Sequence, residues 1–167
     1  MSFGLKTLKT SCFRQAGAAI AAGAITVGAM VLAIGAARAA EIDPKAVIFK
    51  LPDQIEWQGT GGNRSAVLAG DPTKPGLYVV INKWLAGNNF SRPHFHPNDR
   101  FITVLKGTWW VGTGNKFDPA NTVPMREGTF VTHFGKQVHW DGAKDEDAIL
   151  LIVGEGPATN TRVEEAK

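Results

Sequence analysis

The apolar positions of this chain fall into short alternating runs divided by turn residues. Leu77–Leu85 (LYVVINKWL) is the clearest: Leu77, Val79 and Ile81 share one face, and Tyr78, Val80, Asn82 and Trp84 share the other. Arg100–Leu105 alternates again up to Gly107, and Thr108–Gly112 (TWWVG) follows as its hairpin partner. Further strands are expected at Val47–Leu51, Gln54–Trp57, Ser65–Ala69, Phe90–His96, Thr129–Phe134, Val138–Trp140 and Ala148–Gly154. Turns are supplied by Pro52-Asp53, Gly59–Arg64, Asp71–Gly76, Pro97-Asn98, Glu127-Gly128 and Gly135-Lys136. Asp141–Glu146 is polar, and the tail after Pro157 is polar and expected to be loose. Short strands with a turn signal about every eight to twelve residues describe an all-β sandwich or barrel. A single closed β domain is predicted.

One stretch breaks the pattern. Ala16–Ala37 is an uncharged run of Ala, Gly, Ile, Val, Met and Leu with a single Thr26. It follows Lys6, Lys9 and Arg14 and ends at Ala37-Arg38-Ala39. A basic segment, an apolar segment and small residues at a cleavage site describe a secretory signal peptide, cut after Ala39 or Ala40. The alternative is a retained membrane span, for which the run is about long enough. Its Ala/Gly-rich, weakly hydrophobic character and the cleavage site favour removal. The expectation is thus a signal peptide over 1–39 and a β domain over 40–167. The domain is expected in the periplasm or outside the cell, with no stable membrane anchor. Cys12 precedes the apolar run, which argues against a lipid anchor, and no Arg-Arg pair points to the twin-arginine route.

Removing that segment changes the electrostatics. The chain has 18 Lys+Arg against 15 Asp+Glu, but residues 1–39 take four bases and no acid, leaving 14 against 15. No basic patch remains to argue for nucleic acid. Cys12 is the only cysteine, so the β domain has neither disulfide nor thiol chemistry and must fold by core burial.

Candidate chemistry lies in Arg92–Gly107 (RPHFHPNDRFITVLKG). Residues i and i+2 of a strand point the same way, so His94 and His96 present two imidazoles side by side, the start of a metal site. The other two histidines, His133 and His139, follow within the same half of the chain.

His94-x-His96, then Arg100 after three residues and Gly107 after six more, resembles the first motif of the cupins, G-x5-H-x-H-x(3,4)-E-x6-G. Arginine stands at the glutamate position, and Gly87 lies one residue before the place of the first glycine. Gly128 and His139 match the spacing of the second motif, G-x5-P-x-G-x2-H-x3-N, although Phe134, Lys136 and Ala143 depart from it. The resemblance covers roughly Leu77–Gly156. It implies a small RmlC-like jelly-roll barrel, the double-stranded β-helix, with a divalent metal held by His94, His96 and His139.

The family's fourth ligand is a carboxylate, which a protonated guanidinium cannot replace. Three outcomes stay open: a three-histidine site with open positions, an oxygen from Asp99 in the turn, or a pocket that Arg100 keeps free of metal. Arg100, His133 and Trp110 are the expected pocket residues. Arg100 could hold a carboxylate, enolate or phosphate, or instead pair with Asp99. Alternation sends Trp109 and Trp110 to opposite faces, so at most one of them can line the pocket.

The functional expectation is a metal-dependent, oxygenase-like enzyme acting on a small oxygenated or aromatic compound. Fe, Mn, Zn and Ni are all candidate ions, and Zn would point to hydrolysis, isomerase or lyase chemistry. The alternative is a non-catalytic periplasmic protein that binds a small molecule. Exposed edge strands and abundant tryptophan make a homodimer the expected partner arrangement.

Overall fold

The computed structural model describes residues 40–163, so the expected signal segment, 1–39, lies outside the described residues. Contacts divide the chain into two units, Met1–Ala46 and Val47–Lys167. In the first, residues 44–46 form an exposed turn in which the Ala46 N–H donates to the Asp43 carbonyl at 3.0 Å.

The second unit is built from strands: β1 (Asn63–Ala69), β2 (Gly76–Trp84), β3 (Asn89–Phe90), β4 (His94–Phe95), β5 (Arg100–Lys106), β6 (Thr108–Thr113), β7 (Val123–Arg126), β8 (Phe130–His133), β9 (His139–Ala143), β10 (Ala148–Gly156) and β11 (Thr161–Arg162). All pairings are antiparallel. One sheet runs β1-β2-β10-β5-β8; the other runs β11-β4-β9-β6-β7, with β3 also on β9. Among the described residues no helix is long and apolar enough to cross a membrane.

Alternation along β10 explains why it sits in the middle of its sheet. Ala148, Leu150 and Ile152 point inward and are buried, while Ile149, Leu151 and Val153 face out. They meet Tyr78 from β2, Ile102 and Val104 from β5, Trp109 and Val111 from β6 and Ala143 from β9. Both sheets therefore contribute to one core. Each large aliphatic or aromatic side chain removed from water there contributes about 1.5–3 kcal/mol. Gly107 joins β5 to β6 at φ +74°, where an added Cβ would also run into the Asp147 carbonyl. This accounts for the first-motif glycine. Gly128, at φ +84° before β8, does the same for the second.

Three expectations are corrected here. Val47–Leu51 and Gln54–Trp57 are not strands; a 3₁₀ turn (Pro52–Gln54) divides them, and Ile48 is 88% exposed. Their apolar residues find no ladder to join beyond one Gln58–Ser65 bridge. Phe90–His96 is two short strands instead of one. It breaks at Pro93, which lacks an N–H, and at Ser91, whose N–H goes to the Asp141 carbonyl at 2.8 Å. The described part of the tail after Pro157, residues 158–163, is not loose: β11 pairs with β4 at Thr161–Phe95 and Arg162–His94.

Candidate metal centre

Pairing of β4 with β9 sets His94 directly opposite His139, and His96 follows two residues later on the same face. All three are buried, with ring centroids 4.5 Å (His94–His139), 5.0 Å (His94–His96) and 5.5 Å (His96–His139) apart. Each Nδ1 lies on a backbone carbonyl: His94 on Arg92 at 2.8 Å, His96 on Thr159 at 2.8 Å, His139 on Gln137 at 3.0 Å. A carbonyl only accepts, so each Nδ1 carries the hydrogen and each Nε2 keeps its lone pair. One ligand atom from each ring lies within 4.8 Å of the other two. Burial, with the Arg100 charge adding, lowers His96 to about 3, and burial lowers His139 to about 4, so both rings are neutral at neutral pH. Nε2 of His139 is buried without a partner. Fixed tautomers, three gathered ring nitrogens and an orphaned Nε2 on His139 fit a divalent cation once the Arg100 N–H gives way at His96 Nε2.

The opposite sheet brings Arg100 and His133 to the same place as register partners on β5 and β8. Arg100 points inward, and its Nη1 donates to His96 Nε2. Its Nε is buried without a partner, and among the described residues it makes no ion pair. Asp99 neither pairs with it nor reaches the rings, for its Oδ1 accepts the Gly135 N–H at 2.7 Å. That removes Asp99 as a ligand. His133 is buried with its ring 3.9 Å from His139 and 5.2 Å from Trp109, and neither of its nitrogens has a partner. Burial, reinforced by His139, lowers it to about 3. It sits beside the three-histidine group, not within it.

The pocket assignment of Trp110 is corrected: the tryptophan that lines the cavity is Trp84. On β6 the fully buried Trp109 points in, and Trp110 points out beneath the Lys144 ammonium, 3.8 Å from the ring centroid.

Trp109 leads to the residue that the sequence reading missed. Asp141 lies two residues after His139 on β9 and so shares its face. Its Oδ1 accepts from the Ser91 hydroxyl at 2.8 Å and its Oδ2 from Trp109 Nε1 at 3.0 Å. Burial opposes its ionisation, but the fields of His133, His139 and His94 and the Ser91 hydrogen bond outweigh that and hold the carboxyl below its usual range. At neutral pH, where His133 and His139 carry no charge, the two donated hydrogen bonds keep it ionised. Asp141→Asn is expected to cost about 1–3 kcal/mol, because an amide must set its NH₂ against one of the two donors. A lower urea midpoint with an unchanged slope would show it; a midpoint equal to that of the parent would contradict it.

Behind the rings lies a cavity of about 290 Å³. Asn63 and Asn82 form one wall through reciprocal amide bonds of 2.9 and 3.1 Å, and Ser91, Trp84 and Asn160 complete the lining near Arg100. Thr159 and Asn160 come from the tail expected to be loose.

No family model and no curated protein matches the chain. Solved structures do. KdgF from Halomonas sp. superposes with a TM-score of 0.52 at 20% identity, over 65% of this chain and 94% of that one. An RmlC-like cupin from Shewanella frigidimarina gives 0.52 at 18%, over 66% and 90%. The fold is the cupin fold. The polyketide cyclase RemF from Streptomyces resistomycificus shares it, with a TM-score of 0.59 at 14% identity over 72% and 88%. In this cupin-fold barrel Arg100 is an inward-facing group of the site, and the buried carboxylate, Asp141, stands on β9.

Proposed function

We propose that this is an exported metal-dependent enzyme acting on a small oxygenated compound through His94, His96 and His139. The observation that carries the reading is the set of three Nδ1–H bonds to carbonyls, which leaves three Nε2 atoms facing one another in a buried pocket. A divalent ion bound there supplies Lewis-acid polarisation of a substrate oxygen, and a redox-active ion such as iron would also supply oxygenase-like chemistry. The chain's own residues supply the rest. The carbonyls of Arg92, Thr159 and Gln137 orient the rings, Asp141 provides a buried negative charge beside them, and the apolar core at Leu150 and Ile152 closes the cavity floor. The likeness to a protein named as a cyclase supports a catalytic role for such a pocket.

Metal content tests this. The purified protein is expected to carry close to one divalent ion per chain, and a chelator should lower its melting temperature. An ion at 100 times its dissociation constant stabilises by about 2.7 kcal/mol. Metal-free protein whose melt ignores both chelator and added zinc would overturn the reading. It would favour the second one, a non-catalytic small-molecule-binding protein. The Arg100 N–H on His96 Nε2 is the observation on that side, since it occupies a lone pair that a metal needs.

A further inference from the structure

We propose that the cavity binds a small carboxylic acid with an oxygen on its second carbon, a 2-hydroxy or 2-oxo acid, with Arg100 as the carboxylate's partner. This rests on the metal reading only for the second oxygen; the carboxylate contact is independent of it.

Arg100 is a permanent cation withdrawn from water. It has no ion pair among the described residues, a buried Nε with no acceptor, and a single N–H on a ring nitrogen. Such a charge is costly unless something anionic meets it. The one carboxylate lining the cavity, Asp141, favours the Arg100 charge only through space: its two oxygens accept from Ser91 and Trp109, and it makes no direct ion pair with the guanidinium. Besides Ser91 and the imidazoles of His94 and His96, the polar walls are the neutral amides of Asn63, Asn82 and Asn160, and none of these is an anion. A guanidinium offers parallel N–H donors that match the two oxygens of a carboxylate, which a spherical ion or a lone hydroxyl cannot use. Arg100 and the ionised Asp141 balance within the cavity, so a divalent ion on the histidines would give it a net positive charge that a bound acid offsets.

Position narrows the class further. The guanidinium touches His96 Nε2, so a carboxylate on Arg100 lies next to the three facing ring nitrogens. An oxygen on the adjacent carbon would then lie on the side of the three histidines that would hold the ion. The cavity, about 290 Å³, takes a small acid and not a polymer.

The test compares glycolate with glycolamide, which differ in charge but hardly in shape. Each is titrated into zinc-loaded and zinc-free wild-type protein by calorimetry, with metal content measured on the same samples. The Arg100 Nε–H resonance is followed by NMR. Glycolate is expected to bind at least about tenfold more tightly than glycolamide and to move that resonance, which glycolamide leaves in place. Arg100→Gln should erase the preference, and Arg100→Lys should restore part of it. Equal affinities in wild type, or a preference that survives in folded Arg100→Gln, would overturn the proposal. Should Arg100→Gln not fold, the wild-type resonance decides: a preference without movement of Nε–H counts against Arg100. Protein that takes no zinc but prefers glycolate upholds the Arg100 contact and rejects the metal reading; zinc-loaded protein without preference does the reverse.

Discussion

Replacing His139 with alanine is expected to reduce bound divalent metal from near one ion per chain to less than about a tenth of that at micromolar metal. Altering a partner of a ligand typically weakens metal affinity 10–100-fold, and loss of a ligand itself from a set of three should cost more. His94→Ala should behave alike, because its ring faces His139 across the β4–β9 ladder and presents the same nitrogen. His133→Ala is the informative control. Its ring is 3.9 Å from His139, as near as any, yet it lies outside the group whose ligand atoms gather, so metal content should stay near one. Elemental analysis of the three variants, with circular dichroism to confirm folding, makes the comparison. Equal loss in all three would mean that packing of the ring cluster, not ligation, governs metal content. Apoprotein stability should separate the two effects further. His139→Ala gives up the Nδ1–H bond to the Gln137 carbonyl and the packing of a buried ring, so the metal-free variant should melt below metal-free wild type. His133→Ala should do so through lost packing, while only the former loses metal.

What the sequence made legible follows strand alternation closely. In β2 the two alternating faces are as expected, and the one made of Tyr78, Val80, Asn82 and Trp84 packs on the core or lines the cavity. The same rule singled out His94 and His96. It would also have found Asp141, two residues past His139, had the strand not been ended at Trp140 because the next residue is charged. The misjudgement is physical: a carboxylate with a hydroxyl and an indole N–H as donors can be buried, and those donors, Ser91 and Trp109, are distant in sequence. Thr159 was invisible for a different reason. It acts through its backbone carbonyl, which any residue possesses, so only pairing of β11 with β4 reveals it. The apolar run at Val47–Leu51 misled in the opposite direction, since β propensity forms no strand where no partner edge is offered.

The metal-free protein is expected to lose stability steeply as pH falls below about 6.5. In the folded state burial holds His96 and His133 near 3 and His139 near 4, whereas in the unfolded chain each titrates near 6.5. Between those limits the unfolded state binds more protons, so stability rises with pH, reaches its full value above about 6.5 and falls on acidification. Each ring contributes about 1.4 kcal/mol per pH unit, hence about 3 kcal/mol over two units. Three such losses, about 9 kcal/mol together, take up most of the about 5–15 kcal/mol that a domain holds, so the apoprotein should unfold with a midpoint between pH 4 and about 6. The rings touch one another, and the steepness therefore belongs to the set, not to one residue. Asp141 acts in a lower window: its folded value lies below 3.8, so its contribution is present above that pH and disappears only as pH falls through the folded value. Urea midpoints from pH 8 to 4, taken with chelator, check the prediction, and a flat profile down to pH 4.5 would contradict it. His139→Ala should flatten the slope by about one ring's share. Zinc should steepen it, because protons then compete with the ion for the same three nitrogens.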